Sequence, residues 1–201
     1  MATPGELIGT VARALDVSEV TVGVYYRKLR EAGLVTKGGR GRSAPRSTHL
    51  DATRLLIAIL TSDTGKDAAA ETERFGGLGL VYSGEGVELL GITDNEFDKL
   101  DFESALSRIL SLISNPELNS FLKNADYPIH VSVQSDASAE IQFSGFEAFY
   151  GRPPRHLMQK PIIWPLARPL PMSKGIITLR LVEGSPLAQI AACIGTGMRA
   201  P

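Results

Sequence analysis

TVARALDVSEVTVGVYYRKLREAGLVTKGGRGR, residues Thr10–Arg42, reads as a helix, a turn, a second helix and a basic, glycine-rich loop. The first helix starts upstream at Thr3-Pro4-Gly5-Glu6, where threonine at the N-cap, proline at the first helical position and glutamate three residues on form a capping box. Leu7, Val11, Ala12 and Leu15 then share one face at helical spacing. Asp16 stands where the chain must turn, and aspartate tolerates the positive φ that such a turn commonly needs. Ser18 caps the second helix, in which Val22, Tyr25, Tyr26 and Leu29 follow an i, i+3, i+4, i+7 pattern and face inward. The opposite face carries Glu19, Thr21, Gly23, Val24, Arg27 and Lys28, with Ser18 at the tip. Ala32-Gly33 ends the helix, and Leu34-Val35-Thr36 reads as a short strand leading into Lys37-Gly38-Gly39-Arg40-Gly41-Arg42.

Charge singles out the same region. The chain has a formal net charge of −1, but residues 1–50 carry +4 and residues 51–201 carry −5. From Val20 to Leu50 the basic residues Arg27, Lys28, Arg30, Lys37, Arg40, Arg42 and Arg46 face a single acid, Glu31. A basic stripe on an otherwise acidic chain suits a polyanionic partner. Glycines in Lys37–Arg42 let backbone lie close to phosphates, and the arginines between them neutralise phosphates or enter a narrow minor groove.

Val11-Ala12 through Leu15, Val17-Ser18, Thr21-Val22, Leu29 and Glu31-Ala32-Gly33-Leu34-Val35 resemble the winged helix-turn-helix of bacterial and phage transcription regulators, over about the first fifth of the chain. The resemblance implies sequence-specific binding of double-stranded DNA, usually by a homodimer. It makes Ser18, Glu19, Thr21 and Gly23 candidates for base-edge contact and Arg27, Lys28 and Arg30 candidates for phosphate contact. Lys37, Arg40 and Arg42 are the wing candidates. A repressor is favoured over an activator, because blocking polymerase requires only occupancy. A protein-interaction adaptor built on the same fold is the alternative from another class, and a phage or plasmid replication or partition factor is the alternative that shares DNA binding.

Ser43–Ser47 is a polar linker, Thr48 with Asp51 forms a second capping box, and Leu50, Leu55, Leu56, Ile59 and Leu60 give an apolar helix to about Thr61. This helix either completes the DNA module or begins a dimer interface. Asp67–Phe75 reads as a short helix and Gly76–Gly91 as a loop or weak strand. Thr93 and Glu96 make a third capping box, opening one long amphipathic helix through Ile113, and Asn115-Pro116 starts another through Lys123. Ile129–Phe143 alternates as a β-hairpin turning at Ser135–Ser138, and Ile177, Leu179 and Leu181 form a further strand. Pro153–Pro171, with six of the twelve prolines and the sole tryptophan, Trp164, reads as an ordered connection rather than a regular element. Ser185-Pro186 opens a last helix to about Cys193, although Leu187–Ile194 is apolar enough for a strand. The expected fold is α+β: a winged helix-turn-helix over 1–47, a connecting helix over 48–62, and a mixed helix and β-hairpin unit over 63–201 for dimerisation or sensing.

Catalytic and cofactor chemistry is not expected. His130 and His156 lack neighbouring acids, the Gly76–Gly79 and Gly65-Lys66 segments lack nucleotide-loop spacing, and Cys193 sits in an apolar run that suggests core packing. The three histidines and one cysteine have no metal-ligand spacing. The longest apolar run, Leu55–Leu60, is too short to span a bilayer, and no export signal pattern is present, so a cytoplasmic protein is expected.

Overall fold

Three capping boxes set the starts of helices along the chain. A computed structural model describes residues 2–37, 46–84, 93–115, 129–143, 146–152, 179–182 and 184–196. Helix α1, Pro4–Leu15, begins with the Thr3 amide donating to Glu6 Oε2 at 2.7 Å and the Glu6 amide donating to Thr3 Oγ1 at 3.3 Å. It ends at Asp16, which adopts φ 53°. Helix α2, Glu19–Ala32, ends at Gly33 with φ 84°, whose left-handed conformation lets the Leu34 amide reach back to the Leu29 carbonyl at 2.9 Å. Helix α3, His49–Thr61, is capped by Thr48 and Asp51 as expected, and Leu55, Leu56, Ile57 and Ala58 are all fully buried.

Helix α3 is the pivot of the packing. It contacts α2, helix α4 (Ala68–Gly76) and helix α6 (Phe102–Ile113), and it also touches the sheet. Its apolar middle is therefore covered within the chain. Among the described residues the sheet has five antiparallel strands: β1 Leu80–Ser83, β2 His130–Gln134, β3 Ser138–Phe143, β4 Phe146–Gly151 and β5 Leu179–Val182, in the order β1-β4-β3-β2-β5. The β2–β3 hairpin pairs Val131 with Ile141 and Val133 with Ala139. One face buries Val131, Val133, Ile141, Phe143, Phe146 and Tyr150. Short helix α5, Asp94–Phe97, and the start of α6 press aromatic rings on β4: Phe97 meets Phe146 edge-on at 5.1 Å, and Phe102 lies 5.4 Å from Tyr150. Gly151, at φ 75°, closes β4 where a Cβ would collide with the Ala137 carbonyl oxygen. Helix α7, Gly184–Thr196, returns to pack on α1.

The architecture is thus α+β, with helices and an antiparallel sheet sharing one continuous buried core. Helix α3 runs between N-cap Thr48 and C-cap Ser62, and the core continues across both of its ends.

Several expectations need correction. Leu34-Val35-Thr36 is not a strand, because side chains of α3 take its backbone groups: Asp51 Oδ1 accepts the Thr36 amide at 2.8 Å, and Arg54 donates to the Leu34 carbonyl. The long helix through Ile113 is two helices, broken where Asp101 accepts the Ser104 amide at 2.9 Å and caps α6. Strand β4 was not expected. Its partner β1 realises the weak-strand reading of that region. Cys193 is only half-buried: its Sγ accepts from Thr10 Oγ1 at 3.3 Å and lies 3.8 Å from the Glu6 carbonyl, in the α1–α7 seam. Residues 116–123 of the helix expected from Asn115, Ile177 and the Pro153–Pro171 connection lie outside the described residues. No described helix is long and apolar enough to cross a membrane.

Candidate nucleic-acid interface

Helices α1 and α2, joined by Asp16-Val17-Ser18, present the N-terminal turn of α2 outward. Ser18, Glu19, Val20 and Thr21 are all exposed. Val22, Tyr25, Tyr26 and Leu29 are buried, so both tyrosines serve the core. The Tyr25 hydroxyl donates to the Ser62 carbonyl at 2.9 Å, and burial raises the Tyr26 phenol above its ordinary pKa, with Asp51 nearby adding to the effect.

The four base-edge candidates occupy different situations. Ser18 Oγ accepts the Thr21 amide at 3.1 Å and lies 2.7 Å from Thr21 Oγ1, so the two hydroxyls are locked together. Ser18 is a cap first, and the pair keeps one hydroxyl hydrogen and its outer lone pairs for a partner. Glu19 leans back over α1: a Cβ on Gly9 would lie 3.4 Å from its Oε1 and 3.7 Å from an Arg13 guanidinium nitrogen. Thr21 stays outward. Gly23 lies mid-helix, and a Cβ there would meet nothing within 4 Å.

The basic candidates are partly engaged. Glu31 lies 2.8 Å from Lys28 Nζ and 3.9 Å from Arg27 Nε, and the hydrogen bond from Lys28 holds its carboxyl below the usual range. All three side chains are about half exposed, so a polyanion can compete for both cations. Arg30 is exposed. Lys37 is exposed too, with its Nζ 3.5 Å from where a Gly33 Cβ would stand, over the negative end of α2. Arg40 and Arg42 lie outside the described residues, as does most of the loop expected to form a wing.

Two neighbours of this face were not foreseen. Val20 is 80% exposed. The α3–α4 loop leans on α2, where a Cβ on Gly65 would stand 2.7 Å from Val24 Cγ1, so only glycine allows that close approach. Asp63, Lys66 and Asp67 of this loop are exposed. Elsewhere, an open groove of about 640 Å³ between the start of α3 and α6 is lined by His49, Leu100, Ser107, Arg108 and Ser111. Among the described residues no group of three His, Cys, Asp or Glu side chains is placed to hold a metal ion.

No family model, curated protein or solved structure matches this chain.

Proposed function

We propose that the chain is a sequence-specific DNA-binding transcriptional regulator, a repressor acting as a homodimer in the cytoplasm. The observation that carries the reading is the outward side of α2: an exposed first turn, Ser18–Thr21, is followed along the same side by open Gly23 and half-exposed Arg27 and Lys28. A helix with that layout enters the major groove by its first turn and leaves its later cations for phosphates. Lys37, and in the sequence beyond it Arg40 and Arg42, are assigned to phosphate contact as further cations of the same basic region. The remainder of the chain, from α4 onward, serves dimerisation or effector sensing. A two-fold dimer reads two half-sites about one helical turn apart.

Selection from a pool of randomised duplexes tests this. The expected result is one enriched palindrome, with Thr21→Ala relaxing the preference at one position in each half-site. Absence of any enriched sequence sinks the regulator reading and favours the adaptor, and an unchanged motif for the variant removes Thr21 from base contact.

A further inference from the structure

Among the described residues Val20 is 80% exposed, and the next large apolar side chain, Leu50, reaches only 36%. Valine is a poor choice for that position on folding grounds, because β-branching restricts its χ1 in a helix and exposure returns no burial. The helical repeat places Val20 directly across α2 from Val22, Tyr25, Tyr26 and Leu29, which are buried. It is therefore the foremost apolar group on the outward side. One turn further on, Gly23 leaves open space, so a surface can close onto Val20 from that side, while on the other side Val24 is met by the α3–α4 loop at Gly65. The locked Ser18–Thr21 hydroxyl pair flanks it and steadies the turn.

We infer that Val20 is a specificity-determining residue that packs its two methyl groups on the 5-methyl group of a thymine in the major groove. The inference rests on the reading of α2 as the recognition helix. Thymine's methyl is the apolar group that base edges offer in that groove, and a stiff branched side chain meets it with little entropy to lose. Arg27, Lys28 and Arg30, about two to three turns further along α2, favour a polyanionic occupant over an apolar protein pocket.

The test uses the full chain and the duplex it selects. Each thymine is replaced singly by deoxyuridine, which removes only the methyl group, and binding is measured for wild type and for Val20→Ala. At one thymine per half-site the wild type loses about fourfold in affinity, the equivalent of about 0.8 kcal/mol for one buried methyl. Val20→Ala binds the thymine duplex more weakly by a similar factor and is indifferent to uracil at that position. Equal uracil penalties for the two proteins at every position overturn the inference while leaving DNA binding intact. Val20→Ala binding as tightly as wild type overturns it too, and then assigns the exposed valine to a protein-facing surface. Failure of the wild type to bind any duplex overturns the recognition-helix reading itself. Because Val20 is exposed and alanine is the better helix former, an unchanged circular dichroism spectrum and a melting temperature no lower than that of the wild type are expected for the variant.

Discussion

Arg54 on α3 grips both carboxylate oxygens of Glu103 on α6, Nε to Oε2 at 2.7 Å and the second guanidinium nitrogen to Oε1 at 2.8 Å. Its remaining nitrogen donates to the Leu34 carbonyl just past the end of α2. One side chain thus ties the C-terminal end of α2 to the helix that supports the sheet. Arg54 and Glu103 are only 23% and 18% exposed, so the pair lies in a setting where a fork-to-fork geometry contributes to stability.

Glu103→Gln keeps the shape and removes the charge from this junction. It is expected to destabilise the fold by about 2 kcal/mol and to lower Tm by about 6 °C. Differential scanning calorimetry checks this, and a Tm within a degree of wild type would show that the junction contributes little.

Asp51 ties two segments together, accepting from the amide and the hydroxyl of both Thr48 and Thr36. Its carboxylate accepts the Thr48 amide at 2.7 Å, the Thr36 amide at 2.8 Å and the Thr36 hydroxyl at 2.9 Å, while the residue is 3% exposed. Asp51→Ala takes the shared acceptor from those donors and removes one half of the α3 capping box, at a cost of about 2 kcal/mol. Asp51→Asn, which keeps one acceptor oxygen, should recover part of the loss in urea unfolding.

Gly23 interrupts α2 with no steric reason inside the fold. Gly23→Ala should raise stability by about 0.5–1 kcal/mol, since glycine inside a helix carries an entropy cost. If α2 lies in the groove, the added methyl stands between helix and duplex. The same variant should then bind DNA more weakly while melting higher. Tighter binding alongside higher stability would contradict the placement of this face.

His49 responds to acid. Its Nε2 is buried and lacks a hydrogen-bond partner among the described residues, and burial lowers its pKa below the ordinary 6.5. The unfolded chain then binds the proton more readily than the native one. The stability that a neutral His49 allows is full above 6.5 and falls as pH drops through the lowered folded value. Urea midpoints at about pH 7.5 and about pH 5.5 should therefore differ more for wild type than for His49→Gln. Equal differences would show that His49 titrates as it does in the open chain.

Local chemistry was legible in the sequence and distant chemistry was not. The capping boxes at Thr3, Thr48 and Thr93 announce themselves by a carboxylate three residues on, and alternation from Ile129 to Phe143 gives the hairpin. Strand β4 hid because Phe146, Ala148 and Tyr150 are buried with Phe149 between them, which blurs the two-residue period. The break before α6 hid because Phe97 and Phe102–Ile113 keep helical spacing while Asp101 quietly supplies a cap. Leu34–Thr36 looked extended because its true partners, Asp51 and Arg54, lie a linker away. At the candidate interface the inward tyrosines followed from periodicity. The pairing of Lys28 with Glu31 was readable from their three-residue spacing. The lean of Glu19 over Gly9 and of Gly65 onto Val24 are tertiary facts without a local signature.

The reading of α2 and the basic loop as a DNA-binding surface is tested most directly by the salt dependence of duplex binding, followed by fluorescence anisotropy between about 50 and 200 mM salt. Wild-type protein should lose affinity linearly in log–log form, by about 0.9 in slope for each phosphate contacted, and Arg40→Ala with Arg42→Ala together should flatten that slope by about two units. A wild-type affinity that ignores salt, or a double variant with an unchanged slope, would contradict it.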